Sequence, residues 1–126
     1  MVLIFGGAYQ GKLNYALQQF GLAEADVHFC KEADVAIPAD KKIVHEIDRW
    51  ILALLRADRG VGEAMERFLE GDQEKVVICN DISCGVVPVD PLLRKWREEV
   101  GRSLGLLARR SNQVIRLYCG IPTKLK

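Results

Sequence analysis

VLIFGGAYQGKL, residues 2–13, is the stretch that decides the fold. The apolar residues 2–5 have the character of a buried strand, and the residues that follow Lys12 have a helical pattern. Gly6, four further residues, Gly11 and Lys12 match the strand, loop, lysine and helix order of a phosphate loop. In such a loop backbone N–H groups surround a phosphate while the lysine reaches the outer phosphates. We therefore predict a nucleotide phosphate site here.

The residue after the lysine departs from that pattern. Leu13 stands where a Ser or Thr hydroxyl would ligate Mg²⁺, and an aliphatic side chain does not bind a hard cation. An ordinary glycine-rich turn with an exposed lysine remains the alternative interpretation, and a tyrosine and a glutamine in the loop either cover a ligand or fill the pocket. The predicted nucleotide-binding residues are Gly6, Gly7, Ala8, Tyr9, Gln10, Gly11, Lys12, Leu13 and, from a later strand, Asn80.

Length and composition predict one globular domain over residues 1–126. The chain of 126 residues is long enough to bury its own core, and 18 Lys and Arg balance 17 Asp and Glu. No segment approaches the roughly 20 apolar residues that span a bilayer, and the short apolar start is not a secretory signal. We expect a cytoplasmic protein without membrane contact. The cysteines lack CxxC spacing, so we predict buried thiols and no metal site: Cys30, Cys79, Cys84 and Cys119.

Positive charge is concentrated at the end of the chain. Residues 91–126 carry nine Lys and Arg against two Asp and Glu. Nucleotide phosphates, an anionic partner or an acidic patch on another subunit would each suit such a region. Nucleic-acid binding is not predicted, because the arginines alternate with helix-period apolar residues and no aromatic run accompanies them.

Strand and helix patterns alternate along the chain. Strands are predicted at residues 2–5, 27–30, 42–45, 75–80 and 114–119, and helices after residues 12, 46, 60 and 90, the last closing near Asn112. Residues 31–40 are expected to be a connection, and GIPTKLK, residues 120–126, a tail after the last strand. This alternation predicts an α/β fold with three layers: a mostly parallel sheet of about five or six strands with helices on both faces.

Polar residues appear at the carboxyl end of the most apolar strand. Ligands bind at that edge of open α/β sheets, so Asn80 and Asp81 are candidates by position. A loop cap at a strand end is the alternative for both residues. Asp81 is the second catalytic candidate beside Lys12, because a carboxylate there could hold a metal directly or through water.

Two ends of the chain resemble one family. GGAYQGK at residues 6–12, NDISCGVVPVDPL at residues 80–92, Gly101-Arg102 and GIPTKLK together resemble the adenosylcobinamide kinase and adenosylcobinamide-phosphate guanylyltransferase family of cobalamin biosynthesis. The resemblance implies a P-loop NTPase-like fold and GTP or ATP as cofactor. It also implies a corrinoid as second ligand and assembly as a symmetric homo-oligomer. It leaves open whether Mg²⁺ is used.

The departures from the family concern the chemistry. On the resemblance, His45 replaces an acidic residue and Glu46 a cysteine, and Glu46 cannot simply substitute unless the strand end is bulged. The family's guanylylated histidine lies in a helical segment for which only residues 31–41 are available here. Neither His28 nor His45 sits in such a segment, so the guanylyltransferase step is predicted to be lost.

Three hypotheses follow. The protein is a shortened cobinamide kinase working with Lys12 and Asp81, with a large rate deficit because Leu13 and His45 remove metal ligands. Alternatively it is a non-catalytic relative that binds a nucleotide or a corrinoid as an accessory or regulatory protein. In the third hypothesis the loop no longer binds anything.

Overall fold

The computed structural model describes residues 1–71, 73–83 and 85–126. Within these residues the chain forms six strands, four α-helices and a short 3₁₀ turn, Glu24–Asp26. In chain order the elements are β1 (Val2–Gly6), α1 (Lys12–Phe20), β2 (Val27–Phe29), β3 (Ile43–His45), α2 (Ile47–Arg56), α3 (Val61–Leu69), β4 (Val76–Asn80), α4 (Pro91–Arg110), β5 (Gln113–Tyr118) and β6 (Ile121–Lys124).

The strands form one mostly parallel sheet in the order β2-β3-β4-β1-β5-β6. β1 lies at the centre, with Leu3 opposite Val77 of β4 and Val114 of β5. Only β6 runs antiparallel, paired with β5. Because β1, β3 and β4 are parallel, their carboxyl ends meet at one edge, where the glycine-rich loop also begins.

Each face of the sheet has its own hydrophobic core, as the period-two alternation along the strands requires. Ile4, Ile78 and Ile115 pack with α1 on one face. Residues at the alternate positions, such as Leu3 and Val77, pack with α2, α3 and α4 on the other. The predicted three-layer α/β architecture is therefore confirmed, with one helix on one side and three on the other.

The helix ends follow local signals in the sequence. α1 ends at Gly21, which adopts a left-handed conformation (φ 62°) and donates its N–H to Leu17 O. α4 begins where the Asp90 side chain accepts a hydrogen bond from Leu92 N, with Pro91 at the first helical position. Its last residue is followed by Ser111 as C-cap, one position before the predicted end at Asn112.

Two expectations about the chain end were wrong. GIPTKLK does not form a tail, because Ile121–Lys124 pairs with β5 and adds a sixth strand. Cys119 is exposed in the turn between these strands, whereas Cys30 and Cys79 are buried as predicted. Cys84 lies outside the described residues. In the part of the chain that is described, no helix is both long and apolar enough to cross a lipid bilayer.

Candidate nucleotide site

The loop starts at a glycine that the fold requires. A Cβ on Gly6 would lie 2.3 Å from Leu117 O on the neighbouring strand β5, far inside van der Waals contact. Gly6 O also accepts a hydrogen bond from Asp81 N at 2.8 Å, which joins the end of β1 to the residue after β4. The first glycine of the predicted motif therefore fixes the loop against both neighbouring strands.

The loop is open rather than filled by its own side chains. Tyr9 has a positive φ of 59° and a fully exposed side chain, 103% of its reference area, so it does not fill the pocket. Gln10 Oε1 accepts a hydrogen bond from Cys119 N and ties the loop to the β5–β6 turn. Gly11 is the left-handed N-cap of α1, and no described side chain caps this helix. The first amides of α1 are thus available to an anion.

Lys12 is buried beneath the loop. Its side chain is only 4% exposed, and Nζ donates a hydrogen bond to Gly7 O at 2.5 Å, across the turn. Burial lowers the Lys12 pKa, and the nearby carboxylates of Asp48 and Glu46 oppose that shift. The Lys12 ammonium group is therefore held inside the loop as a hydrogen-bond donor. In a phosphate loop, this is where backbone N–H groups surround the phosphate.

A pocket of about 280 Å³ opens beside the loop, near the lower end of the range for small-molecule sites. It is lined by Tyr9, Gln10, Gly11, Lys12, Leu13, Asn14, His45, Glu46 and Asn80. The structure thus brings together six of the nine predicted binding residues. Gly6, Gly7 and Ala8 belong to the loop but do not line this pocket.

Asn14 and Asp48 were missed by the sequence interpretation. Asn14 is exposed one position beyond Leu13 and carries an amide into the pocket wall. Asp48 is 2% exposed and accepts hydrogen bonds from Asn80 N at 3.0 Å and Asn80 Nδ2 at 3.3 Å. Trp96 Nε1 donates to the Asp48 backbone O at 2.7 Å. Asp48 therefore ties α2 to β4 and α4 below the pocket.

The charge of Asp48 is set by opposing effects. Burial raises the pKa of this carboxyl, while the hydrogen bonds from Asn80 lower it. An acidic residue in the first turn of a helix ordinarily complements the helix dipole at the surface, so the position of Asp48 at the helix start did not indicate its burial. The one available signal was a carboxylate among the apolar residues of IDRWILALL, residues 47–55.

Glu46 and His45 both line the pocket, although adjacent strand residues face opposite ways. β3 ends at His45, and Glu46 turns out of the strand with a left-handed φ of 59° as N-cap of α2. Glu46 Oε2 forms an ion pair with Arg49 Nε at 2.6 Å. The left-handed conformation of Glu46 therefore brings its side chain to the same pocket as that of His45.

His45 forms part of the wall. Its ring contacts Phe29 edge to face, with centroids 5.5 Å apart, and Nε2 lies 3.8 Å from Glu46 Oε1. Nδ1 is buried without a hydrogen-bond partner among the described residues. Burial lowers the His45 pKa; Glu46 opposes the shift, while Lys12 and Arg49 add to it. A neutral imidazole is therefore favoured.

Asn80 and Asp81, the two candidates at the end of β4, have different surroundings. The Asn80 side chain lines the pocket, whereas Asp81 Oδ1 accepts hydrogen bonds from Ser83 N, at 3.0 Å, and from Ser83 Oγ. Asp81 is not among the residues that line the pocket. Its carboxylate shapes the turn after β4, the capping role that the sequence left open as an alternative.

The residues around the pocket do not fit a protein-ligated Mg²⁺. Leu13 offers no oxygen, Glu46 is paired with Arg49, and the carboxylate of Asp48 is occupied by Asn80. Across residues 1–71, 73–83 and 85–126, no group of three or more His, Cys, Asp and Glu side chains is arranged to hold a metal ion.

The comparison with protein families decides the relationship. The family model described as cobinamide kinase / cobinamide phosphate guanyltransferase matches residues 42–125, about two thirds of the chain. The chain belongs to this family. No match was found among curated proteins. Membership makes the six-stranded α/β architecture a P-loop NTPase-like fold and connects the chain to cobinamide, to nucleotide binding and to cobalamin biosynthesis.

The matched segment contains three of the nine residues that line the pocket. His45, Glu46 and Asn80 lie inside residues 42–125, whereas the loop from Gly6 to Lys12 precedes them. The family match therefore does not cover the loop, and nucleotide binding by the loop residues is a separate proposal.

Proposed function

We propose that this protein binds GTP or ATP through its phosphates at the loop from Gly6 to Lys12 and transfers the terminal phosphoryl group to a cobinamide hydroxyl. The observation that carries the proposal is Lys12, buried at the N-terminus of an α1 without a described side-chain cap, in a pocket at the carboxyl edge of a parallel sheet. Family membership supports both the nucleotide and the cobinamide.

In the proposed reaction, the bond between the terminal phosphorus and the bridging oxygen breaks. A bond from the same phosphorus to the cobinamide oxygen forms, the nucleoside diphosphate leaves with the bridging oxygen, and the hydroxyl proton is released to solvent water. The chain's contribution is positioning and charge stabilisation: loop amides and Lys12 Nζ donate to the phosphate oxygens, and Lys12 exchanges its bond to Gly7 O for one to the ligand. We propose Lys12 as the catalytic residue in the pocket. Asp81 lies outside the pocket lining, and we propose that its carboxylate positions the turn after β4 through its hydrogen bonds with Ser83.

The proposal excludes the guanylyltransferase step. Residues 31–42, between β2 and β3, contain no helix and no histidine. His28 lies inside β2. His45 lines the pocket, but its ring is held in the wall by edge-to-face packing against Phe29. This supports the loss of a covalent histidine intermediate, which needs an imidazole free to reach an α-phosphate.

Leu13 favours a second candidate function. Without a hydroxyl after Lys12, the pocket lacks the group that positions Mg²⁺ for phosphoryl transfer in P-loop enzymes. A relative that binds the nucleotide and acts as an accessory or regulatory protein is the function this observation supports. We also propose a cytoplasmic location and a symmetric homo-oligomer, by resemblance to the family.

The two candidates are separated by a product assay. The protein is incubated with cobinamide and GTP or ATP, with and without Mg²⁺, and cobinamide phosphate is quantified by chromatography and mass spectrometry. We expect slow product formation that Lys12→Ala abolishes and that Lys124→Ala, a charge removal on the exposed strand β6, does not change. Nucleotide binding of equal strength with and without Mg²⁺, without product, establishes the accessory function instead.

A further inference from the structure

A second cleft, rich in arginine, lies between α4 and the loop that follows β4. The first turns of α4 and the loop that follows β4 enclose about 350 Å³. We call this cleft the arginine groove. It is lined by Ser83, Val87, Arg94, Arg97, Glu98, Gly101 and Arg102.

Helical spacing aligns the arginines. Residues 94, 97, 101 and 102 lie at i, i+3, i+7 and i+8, the spacing of one helix face. Gly101 interrupts this face with no side chain, and a Cβ added there would meet no atom within 4 Å. The middle of the row is therefore open, and a ligand there would lie between guanidinium groups.

The charge of the groove is only partly compensated. Arg102 pairs with Glu99 at 2.9 Å, outside the lining, and Arg97 Nη2 donates to the backbone O of Ser83. Arg94 is exposed and forms no ion pair within the part of the chain that the structure describes. Glu98 is the one acidic residue of the lining. The planar guanidinium donates in a fork that matches phosphate oxygens, so this set suits a phosphate.

The groove lies close to the nucleotide pocket. Asn80 lines the pocket and Ser83 lines the groove, and these residues are three positions apart in the chain. With 3.8 Å between consecutive Cα atoms, their Cα atoms are at most about 11 Å apart.

We propose that the arginine groove is a second phosphate-binding site, which takes a phosphate group of a small phosphorylated ligand beside the nucleotide pocket. Arg94 and Arg97 donate to the phosphate oxygens. The phosphate belongs either to the nucleotide, reaching out of the first pocket, or to a phosphorylated cobinamide. The proposal goes beyond the function proposed above and does not depend on phosphoryl transfer.

The test uses pyrophosphate as probe, titrated by calorimetry into four forms of the protein. We expect two sites in the unaltered chain, loss of one in Lys12→Ala, and loss of the other in Arg94→Ala/Arg97→Ala, with affinity there reduced at least about tenfold. Arg109→Ala/Arg116→Ala is the matched control, because it removes two exposed positive charges elsewhere and should retain both sites. Arg94→Glu alone keeps the Arg97 bond to Ser83 and should have the same effect if the double variant folds poorly.

Titrations of the same variants with GTP and with cobinamide phosphate then distinguish the two sources of the phosphate. Only the ligand whose phosphate binds in the groove should bind more weakly to the variants with altered groove arginines. Pyrophosphate binding in Arg94→Glu that equals binding in the control would overturn the proposal. A change in oligomer mass without any change in pyrophosphate binding would also overturn it, in favour of an acidic protein surface as occupant. Retention of both sites in Lys12→Ala contradicts the phosphate loop instead and leaves the groove standing.

Discussion

At the scale of single residues, the sequence predicted the groups that depend on local chain geometry. The spacing of Gly6, Gly11 and Lys12 was sufficient to predict a turn, a helix start and a lysine beside it. Asp48 escaped because its role depends on Asn80, 32 positions away, and on burial that no local pattern encodes. The close approach of Leu117 O to Gly6 is likewise a contact between neighbouring strands.

Gly6→Ala should destabilise the protein strongly. The new Cβ would lie 2.3 Å from Leu117 O, so β1 and β5 must separate, at a cost of about 3 kcal/mol and a fall in Tm of roughly 10 °C. Thermal unfolding followed by circular dichroism measures the change. Gly62→Ala in α3 is the control: a Cβ there meets no atom within 4 Å, and alanine should stabilise the helix by about 0.5 to 1 kcal/mol. Equal effects in the two variants would contradict the packing described at Gly6.

Acidification should reduce stability partly through His45. Its folded-state pKa is lowered from 6.5, so the unfolded chain binds a proton first as the pH falls. The stabilising contribution is therefore present above pH 6.5 and is lost as the pH drops toward the folded pKa. Each such histidine contributes at most about 1.4 kcal/mol per pH unit.

Urea unfolding of His45→Asn between pH 7.5 and 5.5 tests this dependence. We expect a flatter decline than in the unaltered chain, with the remainder due to His28, whose pKa burial also lowers. The charged groups that face His45 and affect its pKa are Glu46, Lys12 and Arg49. All three are present in the unaltered chain and in His45→Asn. Identical slopes with and without the imidazole would contradict the lowered pKa.

At the scale of elements, long periodic segments were predictable and the short exposed strand was not. β4 is a continuous apolar run, and α4 has both a capping Asp90 and Pro91, so each was expected nearly at its observed bounds. All four residues of β6 are exposed, one is a proline, and neither alternation nor an apolar run marks it. It forms because the edge of β5 is available to the chain as it turns back.

Cys119→Asn should stabilise the β5–β6 hairpin. Cys119 and Gly120 form its two-residue turn, with φ 51° and φ 74°, and positive φ at both positions is the conformation for which Asn-Gly is preferred. We expect a gain of about 0.5 to 1 kcal/mol in the free energy of unfolding. Gly120→Ala is the opposite change and should cost a similar amount. A loss of stability in Cys119→Asn would show that this turn has another conformation.

At the scale of the whole molecule, the parallel sheet brings the loop after β1, the end of β3 and the end of β4 to one edge. That assembly was predictable, since strand and helix patterns alternate and ligands of such folds bind at this edge. The composition of the pocket wall was predicted only in part. Glu46 reaches the wall beside His45 because its backbone is left-handed, and Asn14 reaches it from the first turn of α1. The arginine groove was not predicted either, because it depends on how the loop after β4 packs against α4.

Both functions proposed for this protein require a nucleotide phosphate to bind at the loop from Gly6 to Lys12. Isothermal titration of GTP and of ATP into the unaltered chain, Lys12→Ala and the control Lys124→Ala tests this most directly. We expect one nucleotide per chain in the unaltered protein and in Lys124→Ala, and no measurable binding in Lys12→Ala. Undiminished nucleotide affinity in Lys12→Ala, or no nucleotide binding by the unaltered chain, would contradict nucleotide binding at this loop.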